Sequence, residues 1–507
     1  MIRSVMRGLV LAALLAAAPL AAAQERAAAP AQPATPEGWR ELALSDLAAA
    51  RDILQTQTPI PYDSENPAYP AWLSEGYTRA AALAEQARDA QGHFYALAYY
   101  FNGFRDPHID VNPAVELPAP AWPGFIAASR EGGAIVTMRD ESDPEAPPIG
   151  AQILSCDGQT LASLAEGRLF PYVLNGSLAL DRRRAVTRLF LDRSIPNAPG
   201  PASCRISVSG EEREIALRWR ALPEPADAYW SAYTSASSGP AAEWGVSEPA
   251  PGVFWIGVPT FSSGEDTAPR LAALVEAIDA RAVEMRNARA IVIDVRGNGG
   301  GNSMWADRIA EAVFGRAVAR RAASASSTRS AIDWRASNEN IAYWETWMSD
   351  VAAAEFGPDA VRQIQGVVRG LRNRLGADPP IWRQGSSNPS PSGGLTMRRP
   401  RGPSPIAARV YLLSNGTCGS SCLNFADTVL FVPGVQLIGS ATSGDGPYME
   451  VRDVTLPSGL ATVTVPQKVW RGMGRGPLEA YQPDVAYDGA WDDASVRAWV
   501  MALIAAQ

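Results

Sequence analysis

Histidine is nearly missing from this 507-residue chain, which has only His93 and His108. Chemistry that needs an imidazole must use one of these two. Cysteine is sparse as well, with four residues. No CxxC pair or Cys/His cluster is present to hold a metal, so neither a metal nor a cofactor is expected. Past the N-terminus, no run approaches the ~20 apolar residues of a membrane-crossing helix. Positive charge is also in short supply: the net charge is −8 and lysine is scarce. The patch Arg398-Arg399-Pro400-Arg401 lies among Pro, Ser and Gly and reads as a solvated loop. Nucleic-acid binding, which needs clustered Lys and Arg against phosphates, is not expected.

The chain opens with Arg3 and Arg7, a Leu- and Ala-rich run, and Ala21-Ala22-Ala23 before Gln24. This pattern is a secretory signal over residues 1–23 with an A-x-A cleavage site, so an exported protein cut after Ala23 is expected. The Ala- and Arg-rich composition suggests a bacterial periplasm. In an oxidising compartment four cysteines suggest two disulfides, and sequence alone permits three pairings. Cys156 with Cys204 is favoured because both lie at strands of one small domain. Cys418 and Cys422 would then pair locally, since a separation of four on a helical turn falls within the ~4.4–6.8 Å between Cα atoms that a disulfide tolerates.

After a Pro- and Ala-rich leader at 24–38, residues 39–115 read as helical. One helix starts at Ser45 as N-cap, and a second, YTRAAALAEQARDAQGHFYALAYYFNGF, ends near Asn102-Gly103. Arg105-Asp106-Pro107-His108 then leaves regular helix. Residues 116–225 hold short alternating runs (GGAIVTM, GAQILSCDG, CRISVSG, REIALRW) around a helical piece at 160–193, as in a small strand-rich domain. Residues 226–507 follow a βα pattern from Gly252. An insertion is expected at about 317–405, its second half loop. The fold class is α/β.

Two stretches invite chemistry. AIVIDVRGNGGG ends a buried strand in three glycines before a helix, which suits backbone N–H groups facing an anion. The spacing is not G-x-G-x-x-G and no P-loop Lys-Ser/Thr follows, so an oxyanion hole fits better than a nucleotide site. LLSNGTCGSSC carries a strand into a turn with Ser420 and Ser421, either of which could cap a helix or attack a carbonyl. A lipase-like esterase would need a G-x-S-x-G elbow, which no strand-following serine here has.

VIDVRGNGGG, VYLLSNGTCGSSCLNFAD, IGSATSGDG and YQPDV, in this order, resemble the C-terminal processing (tail-specific) protease family and its tricorn-core relatives. GVFWIGVPTF resembles the family's opening strand, and GAQILSCDG the turn of its PDZ-like domain. The resemblance implies a crotonase-like (ClpP-like) αβα core with an N-terminal helical segment and an inserted PDZ-like domain, acting on polypeptides. It places the nucleophile at Ser420 and the oxyanion donors at the amides of Ser421 and Gly300. Where the processing proteases carry a lysine base, this chain has Asp445. His108, in RDPHIDV, resembles the base of the family's His-using branch, although Pro107 stands where that branch has a serine. Glu479 resembles the family's ring-orienting glutamate, while Asp106, Asp110 and Asp445 could equally serve. His93, inside a helical run, reads as a packing or surface residue. The cysteines beside Ser420 read as a brace or a structural thiol rather than a nucleophile. The same fold could also bind peptides or other ligands without turnover.

Overall fold

A computed structural model describes residues 31–130, 133–326, 329–347, 358–394 and 398–506. The signal expected at 1–23 and the start of the leader lie outside them. At the centre is a six-stranded sheet in the order Val485–Ala486, Gln436–Gly439, Arg409–Ser414, Ala290–Asp294, Val253–Gly257, Gly245–Ala250. All neighbours are parallel except Gly245–Ala250, the antiparallel edge.

The two-residue period of a strand decides what each side chain meets. Phe254, Ile256, Ile291, Ile293, Val410 and Leu412 face the helices Thr267–Ala280, Ser303–Phe314 and Ser421–Val429. Val253, Trp255, Val292, Tyr411 and Leu413 face Val496, Val500 and Ile504 of the terminal helix Asp493–Ala505. Burial on both faces explains why these strands read as continuous apolar runs. The result is an α/β fold layered as αβα.

A second sheet lies beside the core. Its long strand Ala461–Arg471 pairs with Asp110–Pro113, Ala331–Arg335 and Tyr448–Thr455, and Ile381–Gly385 adds to Ala331–Arg335. A third, five-stranded antiparallel sheet runs from Phe125–Arg130 to Glu211–Ala216. No helix among the described residues is long and apolar enough to cross a membrane.

Several local expectations change. The first helix spans Pro36–Gln57, capped by Thr35, whose side chain accepts from Gly38 N. Ser45 is therefore interior to it. The long second helix is two, Ala68–Ala84 and Ala90–Asn102, because Asp89 accepts from Gly92 N and restarts the chain as a new N-cap. The stretch 317–405 is not peripheral throughout, since Ala331–Arg335 is buried at all five positions and sits inside the second sheet. From Ser386 to Ala408 the described residues hold neither α-helix nor strand. Both disulfides are present, Cys156–Cys204 with Cα atoms 3.9 Å apart and Cys418–Cys422 with 5.1 Å.

Candidate active site

The strands Ala290–Asp294 and Arg409–Ser414 are hydrogen-bonded neighbours, so their C-terminal ends deliver two loops to one spot. Open parallel sheets place their ligand sites at this end. Asn415 ties the loops together: its Oδ1 accepts from Thr417 Oγ1 at 2.6 Å, and Thr417 Oγ1 accepts from Gly297 N at 2.8 Å. Arg183, from the small strand-rich region, donates to the Asn415 carbonyl. The Cys418–Cys422 disulfide then brackets the turn.

Ser420 sits between the bracketing cysteines with φ 50° and ψ −126°. A non-glycine residue there is strained, and such strain persists only where the surroundings impose it. A serine raised on a sharp strand-to-helix turn is how α/β hydrolases expose a nucleophile. The question of whether this serine is only a helix cap has a direct answer, since Ser420 occupies the N-cap position of Ser421–Val429 yet makes no side-chain cap bond.

His108 Nε2 lies 3.3 Å from Ser420 Oγ, across 312 positions of sequence. The ring is held from behind by Asp106, whose Oδ1 accepts from His108 N at 2.9 Å and pairs with Nδ1 at 3.2 Å. Asp106 Oδ2 in turn accepts from Tyr69 Oη at 3.3 Å and Tyr448 N at 3.4 Å. Gly446 makes room for this carboxylate, because a Cβ there would lie 1.6 Å from Asp106 Oδ2. Just beyond His108, the strand Asp110–Pro113 is stitched to Ala461–Thr464. The imidazole is thus fixed on both sides along the chain.

Charge around the ring is unusual. Burial alone would pull the imidazolium down, but Asp445, Asp106 and Glu450 outweigh it and push His108 up to about 9. Burial likewise raises Asp445, and raises Glu450 to about 7 against the opposing pull of Lys468. Lys468 is the only lysine in the sequence. Its Nζ is 2.9 Å from Glu450 Oε2 and 4.8 Å from the Trp334 ring centroid. The lysine therefore pairs with a carboxylate that acts on the histidine.

Two expected partners are placed differently. The ring contact that the resemblance implied for Glu479, with Asp106, Asp110 and Asp445 as alternatives, is made by Asp106. Glu479 Oε2 instead accepts from Gly476 N at 2.6 Å and Gly394 N at 3.1 Å. Gly300 N donates to Asn298 Oδ1 at 3.0 Å in an Asx turn, so this amide is engaged rather than turned to a substrate. What Gly300 supplies is close approach: a Cβ there would meet Ser420 Cβ at 2.7 Å. Ser421 N, at the first turn of its helix, has no protein acceptor among the described residues, and Ser421 Oγ is buried without a partner. Asp110, the other acidic candidate near the histidine, points outward at an exposed strand position. His93 is buried and bonds Asp46 at 2.9 Å, far in role from the turn.

Sequence reading missed Glu450, Tyr69 and Tyr448. No local signal marks them, because Tyr448 and Glu450 arrive through the pairing of Tyr448–Thr455 with the strand Ala461–Arg471, and Tyr69 through the packing of the helix Ala68–Ala84. The turn GSATSGDG is latched to LEAYQPDV by Tyr481 N donating to Thr442 Oγ1 at 3.0 Å and Leu478 N to Asp445 O at 2.7 Å.

A parallel core that presents a strained serine beside an imidazole is the arrangement of a serine hydrolase. Residues 253–487 match the model of peptidase family S41, which marks the protein as a serine-type peptidase. Among solved structures, mature CPAF is similar in fold at 14% identity and a TM-score of 0.56, covering 89% of this chain and 93% of that one. Mature CPAF complexed with lactacystin is similar at 15% identity and a TM-score of 0.56, covering 92% and 99%. No curated protein matches the chain.

Proposed function

We propose that this peptidase is an exported serine endopeptidase or tail-specific processing protease, cleaving peptide bonds through a Ser420 acyl-enzyme with His108 as general base. The observation that carries the reading is the 3.3 Å approach of His108 Nε2 to Ser420 Oγ, within the reach a base needs before substrate tightens the site. Neutral His108 takes the Ser420 proton as Oγ bonds to the peptide carbonyl carbon. The carbonyl oxygen becomes an oxyanion, and the Ser421 amide at the helix N-terminus is the donor best placed to receive it. His108 then protonates the leaving amine as the C–N bond breaks. Water, deprotonated by the same ring, releases the second product and frees the serine. Asp106 holds the ring and stabilises its charge.

Export and a periplasmic location are supported by the residues 1–23 pattern together with two disulfides. The five-stranded sheet ends at Phe125–Arg130, which is mostly buried, and at Glu211–Ala216, which is mostly exposed. A PDZ-like role for it would be capture of an extended chain by strand addition. A fluorophosphonate probe tests the chemistry. The native protein is expected to label, and Ser420→Ala and His108→Ala to abolish labelling. A native protein that stays unlabelled would support ligand binding without turnover instead.

A further inference from the structure

A cavity of about 310 Å³ opens beside the site, between the helices Ser303–Phe314, Arg316–Ser326 and Ser421–Val429 and the end of the long strand. It begins one helical turn beyond the nucleophile: Asn424, which lines it, donates its backbone N–H to the Ser420 carbonyl at 3.3 Å.

Two donors in this wall are unmet. Arg475 is 2% exposed and spends Nε and Nη2 on the Asp427 carboxylate at 2.8 and 3.2 Å, leaving Nη1 buried without an acceptor. Trp470 Nε1 is buried and likewise unaccepted. Buried N–H groups are normally satisfied, so a pair left open on one cavity wall asks for an acceptor from outside. Asp427 already compensates the guanidinium charge. Asp307, Glu311 and Arg320 line the same cavity, and Arg320 Nε is paired with Glu311 Oε1 at 2.9 Å, so Asp307 is the carboxylate left to repel an acidic side chain. A cationic side chain would leave both donors unmet. An amide offers its oxygen to the donors and its NH2 to Asp307.

We infer that this cavity is a specificity subsite for an uncharged, amide-bearing side chain next to the scissile bond, with glutamine the best match in reach. This rests on the reading of Ser420 as the nucleophile. A site built to hydrogen-bond a substrate group discriminates strongly against analogues that lack it.

The test uses the full-length protein and peptide sets differing at one position flanking the cleaved bond, carrying Gln, Met or Glu. At one flanking position, kcat/KM for Gln is expected to exceed that for both Met and Glu by about tenfold or more. Trp470→Phe keeps the ring and removes the N–H, and is expected to lower the Gln-to-Met ratio about tenfold. Arg475→Lys provides a second variant should the first fail to fold. Cleavage with no Gln preference at any flanking position, or a ratio unmoved in the folded variant, overturns the subsite alone. No cleavage together with no fluorophosphonate labelling of Ser420 overturns the nucleophile reading, and the subsite with it.

Discussion

The serine half of the site is held by its neighbours in sequence, and the histidine half by its neighbours in space. Ser420 takes its strained backbone from a strand end, a disulfide spanning four residues and the glycines beside it. His108 depends on Asp106, which is gripped by Tyr69 from one helix and by Tyr448 from 342 positions away. Tyr448 Oη is anchored by Asp63, which also binds Arg471 Nη1, each at 2.6 Å. The difference teaches that a nucleophile can be positioned by local geometry, whereas its base arrives only when distant segments close around it. That closure brings buried charge with it, and buried charge sets the base's proton affinity.

The two histidines offer the largest test of this contrast, since each ring hydrogen-bonds one carboxylate, Asp106 for His108 and Asp46 for His93. His108→Ala is expected to lower kcat by about 10³-fold or more, the usual contribution of a positioned base. His93→Ala leaves Asp46 buried without its imidazole, at a cost of about 1–3 kcal/mol of stability. Its kcat is expected to stay near native. Chemical denaturation paired with kcat measurements separates the two outcomes. A His93 variant that folds normally but loses turnover would break the assignment.

The next effect in size is pH dependence. With His108 raised to about 9, the ring carries a proton at neutral pH. The base form should grow about tenfold per pH unit from 7 and level above 9. By linkage, the stability this raised value contributes is fully present below the ordinary histidine range near 6.5 and is lost as pH rises through about 9. Asp106→Asn removes one of the carboxylates that hold the proton. The rising limb of kcat/KM should move to lower pH, while the plateau falls about 10²-fold or more as the ring loses its orienting partner. A limb that does not move would show that Asp106 acts on geometry alone.

Sequence made the serine half legible because its cues are contiguous. A buried apolar strand end, Asn-Gly, paired cysteines and serines before a helix all fall in LLSNGTCGSSC. His108 was legible for a different reason, as one of two histidines and the one that follows a helix stop. Its supporting carboxylate was left among alternatives, because Asp106, Asp110, Asp445 and Glu479 differ only in where the folded chain carries them. Asp110 alternates outward on its strand, Glu479 turns to the Gly476 and Gly394 amides, and Asp106 falls behind the ring. Gly300 shows the same limit at finer scale. Its proximity to the serine was implied by the family resemblance, but the Asn298 side chain that claims its amide depends on rotamer and turn geometry.

The two disulfides sharpen the comparison at the smallest scale, because stability and turnover should rank them in opposite orders. Cys156–Cys204 joins directly paired strands across 48 positions, and Cys418–Cys422 spans four. Chain-entropy reasoning gives about 4 kcal/mol for the first loop and about 2 kcal/mol for the second. Replacing Cys156 and Cys204 together by serine should therefore lower Tm more. Replacing Cys418 and Cys422 should lower kcat more, since the backbone they bracket is the one that raises the Ser420 hydroxyl. Thermal unfolding beside kcat on both double variants checks this crossing. If the Cys418/Cys422 variant keeps full turnover, the strained turn is held by the Asn415–Thr417–Gly297 bonds alone, and the disulfide serves stability only.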